Sequence, residues 1–436
     1  MPQPFRTPQM AWTRRRLVGV ALLLIIGAIT LVMMSLKSSS AGVVLASQEI
    51  KPAVPDLLST AGTSEPGRVD YRRLDSRIAL LMQQKDFVGL AVAAVERGKV
   101  RFLRGYGETL AGSGDPITPD TVFRWASVSK GVASALVTKL AGEGRVSLEA
   151  PIEGLNTSLR LSPAGRNVTV ADVLSHRIGI VRNAWDDRLE QGADPRALRA
   201  QLGTLPLLCS PATCYAYQNI AYDTAAEIVE HAAGQPYGDL AQARLFAPLG
   251  MTSASVGRLG LQSATSWARP HRGRTPVTVN DSYYRVPAAG GVNSSVSDLA
   301  RWMLAQMGKA PDVLSPQMLQ TMHTPRVSTP PHGRRSAMDR ALTQASYGLG
   351  WRSFNYAGHT LVGHRGAVEG YGALVLFDPA EQSGIVMLWN SGNYNAARLQ
   401  LEFFDMLYGL PPTDWLELPA AKGQQNATRP GTGRAG

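Results

Sequence analysis

The chain has 436 residues, 44% of them apolar, and a formal charge of +11. Its length and apolar content allow a large core and suggest two or three domains, and the spread of Gly and Pro fits a turn-rich globular protein. The charge favours anionic surfaces such as membranes or cell-wall polymers. The arginines are scattered, with no basic stripe interleaved with aromatics, which argues against a nucleic-acid partner.

In chain order, the first feature is "RRRLVGVALLLIIGAITLVMMSLK". Arg14, Arg15 and Arg16 precede an uncharged run from Leu17 to Leu36. Such a run is long enough to cross a bilayer as a helix, and the arginines hold the N-terminus in the cytoplasm. Residues 1–16 are therefore predicted as a cytoplasmic N-terminus, 17–36 as a single membrane anchor and 37–68 as a Ser/Pro/Thr/Gly-rich linker. The length of the run favours an uncleaved anchor. The alternative is a secretory signal cut after Ala46 in "VLAS". Either way the body is expected outside the cytoplasm, at the inner membrane or in the periplasm.

The body spans 69–412, followed by a flexible tail over 413–436. A helix is predicted near 70–85, then two strands in "VGLAVAAVERGKV" and "RFLRGYGET", joined by a turn at Arg97-Gly98. Helical patterns dominate from Ser127 to about residue 250. Strands return in "HTLVGHRGA", "YGALVLFDP" and "SGIVMLWNSG", with a hairpin connection at "DPAEQ", and "LEFFDMLYGL" closes as a helix. Strands at both ends around a helical middle predict one sheet lobe (69–126 and 280–412) and one helical lobe (127–279), with the binding site between them.

The motif that carries chemistry is "ASVSK", which sets Ser127 and Lys130 three residues apart on one helical face. Ser134, Thr138 and Ala141 continue that face with small side chains, so another element can approach closely. Val132, Leu136 and Leu140 lie opposite as the buried anchor. A serine hydroxyl is a weak nucleophile at neutral pH, and a lysine desolvated in a cleft can lose its proton and act as base. SxxK alone is a common pattern, and an exposed lysine beside an ordinary serine is the plain alternative. Two later motifs keep order with it: Tyr217-Gln218-Asn219, and His364-Arg365-Gly366 at the end of a predicted strand. Tyr217, between Tyr215 and Tyr222, could otherwise be ordinary core.

The ordered set SxxK, YxN and HxG resembles the serine β-lactamase-related superfamily, at the branch of class C β-lactamases, D-amino-acid-specific peptidases and family VIII-type esterases. The resemblance covers about residues 69–410, supported by "VTVADVLSHRIGI", "PAAGGVNSSVSDLARWM" and "YGLGW". It implies an α/β (α+β) β-lactamase/transpeptidase-like fold, with an antiparallel sheet flanked by helices beside a helical lobe. It implies Ser127 as nucleophile, Lys130 and Tyr217 sharing the proton traffic, and Asn219 orienting Lys130 or the acyl side chain. His364 would supply a polar or cationic group beside Tyr217, and the N–H groups of Ser127 and Ala367, next to Gly366, would form the oxyanion hole. His176 reads as structural. Arg365 would either hold a substrate carboxylate or point away from the cleft.

The expected activity is hydrolysis of a small-molecule or peptide ester or amide through an acyl-Ser127 intermediate. The alternatives are a penicillin-binding sensor that is acylated without efficient turnover, or a true β-lactamase. His364, a weaker cation at neutral pH than lysine, stands where those β-lactamases carry lysine, which counts against β-lactams. No cofactor is implied. Gly105 and Gly107 are no dinucleotide fingerprint, because Leu110 occupies the third glycine position. Cys209 and Cys214, the two cysteines of the chain, have no second Cys or His pair at metal-ligand spacing. In an oxidising compartment they are expected to form a disulfide just ahead of Tyr217, the alternative being two free thiols. The sequence leaves the oligomeric state open.

Overall fold

The computed structural model describes residues 57–58, 67–330 and 336–418. The cytoplasmic segment, the anchor over 17–36, most of the linker and the cleavage site after Ala46 lie outside them. Among the described residues no helix is long and apolar enough to cross a membrane.

Helix α1 (Tyr71–Met82) starts on Asp70, whose carboxylate accepts from the backbone N–H groups of Arg72 and Arg73. Leu74, Ile78 and Leu81 recur at helical spacing and are buried. Strands β1 (Gly89–Glu96) and β2 (Lys99–Gly107) follow, joined at Arg97 and Gly98, both with positive φ. That two-residue turn carries the twist an antiparallel hairpin needs.

Among the described residues the main sheet has eight strands. The other six are β3 (Val327–Ser328), β4 (Thr343–Tyr347), β5 (Arg352–Tyr356), β6 (His359–Val368), β7 (Tyr371–Asp378) and β8 (Ser383–Trp389). Their order is β2-β1-β8-β7-β6-β5-β4-β3, with every pairing antiparallel. The expected sheet built from both ends of the chain is thus present. The short strands β3, β4 and β5, absent from the predicted elements, extend it past β6.

Alternation along β1 divides the core. Leu90, Val92 and Ala94 pack with α1 and with helix α6 (Leu399–Tyr408). Ala91, Ala93 and Val95 join the larger core on the opposite face. That core surrounds helix α2 (Ser129–Gly142), together with α3 (Thr224–Ala233), α4 (Val296–Gln306) and α5 (Pro316–His323). Helices α4 and α5 fall inside the stretch assigned to the sheet lobe, so the helical part runs beyond residue 279. The tail also begins later than 413: Leu416 is buried against the α6 side, and Trp415 donates its indole N–H to Asp405.

Helix α2 differs from the expected two-faced helix. It is buried on nearly every side from Ser129 to Thr138. Its small-residue face does admit a close neighbour. Gly350, with φ of +75°, lies so near that a Cβ there would stand 2.7 Å from the Lys130 carbonyl oxygen and 3.0 Å from Ser134 Cβ. Gly131 likewise makes room for the Trp351 ring. The loop "YGLGW" can therefore press onto the helix that bears Lys130.

Candidate active site

Ser127 lies on a 3-10 turn (Ala126–Val128) that runs into α2, so the α-helix starts two residues later than expected. Ala126 just before it has φ of +47°, a strained value for a residue with a Cβ, of a kind that collects at functional sites. The turn is pinned from the sheet side. A Cβ on Gly366 would stand 2.1 Å from the Trp125 carbonyl oxygen, so only glycine lets β6 come this close.

The three motifs meet at one cavity of about 760 Å³, lined among others by Ser127, Tyr217, Asn219, His364, Gly366 and Ala367. The Tyr217 hydroxyl donates to Ser127 Oγ at 2.8 Å. Lys130 Nζ is 3.3 Å from the same oxygen, 2.8 Å from Asn219 Oδ1 and 2.9 Å from the Ala289 carbonyl oxygen. Its ring contacts are Tyr217 at 4.7 Å and Tyr222 at 5.3 Å. Lys130 is fully buried. That burial pushes its amine down from 10.5 to about 7, against the opposing pull of the Asp186 and Asp223 carboxylates. Burial drives the Tyr217 phenol the other way, well above its ordinary value, although the bond to Ser127 opposes the rise. The amine can thus give up its proton near neutrality while the phenol keeps its own.

Further groups hold these in place. Asp223 accepts from Arg199 at 2.7 Å and from the Ala288 N–H at 2.9 Å, next to the carbonyl that receives Lys130. His176, with φ of +58°, is buried and accepts from the Gln218 N–H through Nδ1 at 3.2 Å. Its proton therefore resides on Nε2. The ring packs 4.3 Å from Tyr217, and burial holds it neutral, with a pKa well below 6.5. The bridge Cys209–Cys214 forms, with a Cα–Cα distance of 6.3 Å. Its loop pairs with the His176 segment through Leu208 N–H to Gly179 O, Ala212 N–H to Arg177 O and Ala216 N–H to His176 O.

His364 lines the cavity, with one ring nitrogen on the Tyr347 hydroxyl and the other on a backbone carbonyl. Nδ1 donates to the Arg365 carbonyl at 2.7 Å, and Nε2 is 3.0 Å from the Tyr347 hydroxyl. Tyr347 and Tyr217 both pack on His176. Arg365 is paired with Asp339 at 3.4 Å, so its guanidinium is already engaged.

Asp186, Arg352 and Tyr283 are among the cavity-wall residues that belong to none of the three motifs. Asp186 accepts from Asn219 Nδ2 at 2.7 Å. Arg352 donates to the Tyr215 hydroxyl at 2.7 Å and lies over the Tyr347 ring. Tyr283 donates to Glu190 at 2.8 Å. Only "YGLGW", which ends one residue before Arg352, pointed near one of them. Among the described residues no group of three His, Cys, Asp or Glu side chains is placed to hold a metal ion.

Comparison with known proteins bears on the family and the fold. The family model for beta-lactamase matches residues 74–409. Among curated relatives, an unguisins hydrolase of Aspergillus campestris is 27% identical over 350 residues, covering 75% of this chain and 64% of that protein. A D-alanyl-D-alanine-carboxypeptidase/endopeptidase of Escherichia coli is 28% identical over 221 residues, covering 49% of this chain and 56% of that protein. The chain thus spans under two thirds of the length of these relatives. Among solved structures, an octameric penicillin-binding protein homologue from Pyrococcus abyssi superposes with a TM-score of 0.71 at 24% identity, covering 79% of this chain and 78% of that one. A beta-lactamase/D-alanine carboxypeptidase from Pseudomonas syringae gives 0.65 at 23% identity, covering 78% and 99%. These two likenesses speak to the fold. With the match over 74–409 and the three motifs gathered around one serine, the chain belongs to the beta-lactamase family.

Proposed function

We propose that this protein is an exported serine hydrolase that cleaves an ester or amide through an acyl intermediate on Ser127. The observation that carries the reading is the Ser127 hydroxyl in a cavity with both a phenol and a buried amine against it. Lys130 is the base. Its lone pair takes the hydroxyl proton as Oγ attacks the substrate carbonyl carbon. The charge that develops on the carbonyl oxygen meets the N–H groups of Ser127 and Ala367. As the bond to the leaving group breaks, that group takes a proton from Tyr217, which regains one from the Lys130 ammonium. Water then repeats the sequence on the acyl-enzyme, and the acid is released. Asn219 holds Lys130. His364, backed by the buried Tyr347, lines the far wall, where a lysine would otherwise favour a β-lactam carboxylate.

Amides and peptides fit the names of the two relatives, one a hydrolase of unguisins and one a carboxypeptidase/endopeptidase. Export rests on Arg14 to Arg16 ahead of the apolar run over 17–36, and the Cys209–Cys214 bridge suits an oxidising compartment. The body is then periplasmic, held by that anchor or released by cleavage after Ala46.

A fluorophosphonate probe tests the reading. It should label Ser127 in the wild type and leave Ser127→Ala unlabelled, and Lys130→Ala should lose most turnover. Labelling that persists in Ser127→Ala removes the assignment. A single burst of product without turnover on ester and amide panels would make the protein an acyl-binding module instead.

A further inference from the structure

Asp186 stands outside every motif, yet it is bonded to the side chain that reaches Lys130 from the second motif. An amide side chain has a donor end and an acceptor end, and a carboxylate only accepts. With Asp186 Oδ2 2.7 Å from Asn219 Nδ2, the amide cannot turn over without setting oxygen against oxygen. Its Oδ1 is thereby kept 2.8 Å from Lys130 Nζ. The Ala289 carbonyl is a second acceptor at 2.9 Å. A neutral amine has two hydrogens and one lone pair. Two acceptors take the hydrogens, and the direction left over is Ser127 Oγ at 3.3 Å. A reversed amide would draw the lone pair to its own NH₂ and turn a hydrogen toward Ser127, leaving the nucleophile without a base.

Asp186 carries a cost consistent with such a task. Its other oxygen, Oδ1, is buried without a hydrogen-bond partner, which disfavours a carboxylate kept for packing alone. We propose that Asp186 is a positioning residue that, through the Asn219 amide, aims the Lys130 lone pair at Ser127. The proposal rests on the reading of Ser127 as the nucleophile.

Other groups face Lys130 as well: Asp223 with its partner Arg199, Arg352 of β5, the Tyr217 and Tyr222 rings, and the neutral His176. The two carboxylates favour the ammonium and Arg352 disfavours it. Removing the Asp186 charge therefore favours the neutral amine and moves the acid limb of reactivity to lower pH.

The test measures the rate of fluorophosphonate labelling of Ser127 against pH in the full chain, so that no natural substrate is needed. Asp186→Asn, whose amide oxygen can still accept from Asn219, should shift the acid limb down by about one pH unit. Asp186→Leu removes the acceptor and should lower the plateau rate about 10²-fold. In an Asn219→Ala background the same Asp186→Leu change should add almost nothing, because its route is gone. Full additivity in that double variant, or an Asp186→Leu plateau as high as the wild type's, overturns the proposal. If Asp186→Leu does not fold, Asp186→Ala in the wild-type and Asn219→Ala backgrounds decides by the same plateau rate. Labelling at a residue other than Ser127 would instead strike the nucleophile assignment.

Discussion

Gly366 and the Trp125 carbonyl are in such close contact that a Cβ at residue 366 would stand 2.1 Å from that oxygen and 3.2 Å from Ala126 Cβ. The strand carrying His364 and Ala367 is thereby fitted against the strained turn carrying Ser127. Gly366→Ala should push the two apart. We expect kcat/KM to fall about 10²-fold, as misplaced catalytic groups do, with the far-UV circular dichroism retained. Wild-type kinetics in this variant would show that the contact has no bearing on the chemistry.

The pH profile follows from Lys130. Activity needs the neutral amine, and burial brings its pKa to about 7. kcat/KM should therefore rise as pH increases through about 7. The Tyr217 phenol, whose pKa burial raises, adds no fall on the alkaline side of neutrality. An acid limb in the range of free carboxylates would give the base role to another group.

The disulfide can be tested apart from the motifs. Cys209 and Cys214 close a short loop that is hydrogen-bonded to the His176 segment ahead of Tyr217. A double Cys→Ser variant should lose about 2 kcal/mol of stability, the loop-closure value for so short a ring. It should also lose turnover at temperatures where it remains folded. Unchanged turnover would leave the bridge a stability device only.

Asp223 ties stability to the site. It is buried, bonded to Arg199, and it holds the Ala288 N–H beside the carbonyl that receives Lys130. Asp223→Ala leaves the Arg199 cation buried with Glu227 and the Ser158 hydroxyl as partners. Urea unfolding should show a loss of about 3–5 kcal/mol, the usual cost of breaking a buried pair. A loss below about 1 kcal/mol, as for an exposed pair, would contradict the network.

Much of the site was legible in the sequence because its parts are short motifs. Ser127 and Lys130 fix their own spacing on one turn, and the order of the later motifs supplied the partners. Long apolar strands such as β7 and β8 showed plainly for the same local reason. Strands β4 and β5 did not: at five residues each, with polar Gln344, Ser346, Ser353 and Asn355, they are held by pairing with neighbours. Asp186 left no signal either, since its bond to Asn219 joins residues 33 apart through a loop. The even burial of α2 was hidden because a helix of small residues shows no polar face until its neighbours are known. The partner of His364 turned on Tyr347, which belongs to one of those unseen strands.

The place of β1 in the sheet has a consequence for synthesis. All eight of its residues are buried, and its second neighbour is β8, with Leu90 opposite Trp389. A nascent chain therefore carries a strand that is apolar but for Glu96, with one open edge until β8 has left the ribosome. Such an edge pairs readily with other chains, and contacts this distant in sequence form slowly. The body can complete its central pairing only after β8 emerges. Until then it remains in an unfinished state, the condition in which a polypeptide can still be threaded through a membrane pore and in which chaperones are needed to keep it from aggregating.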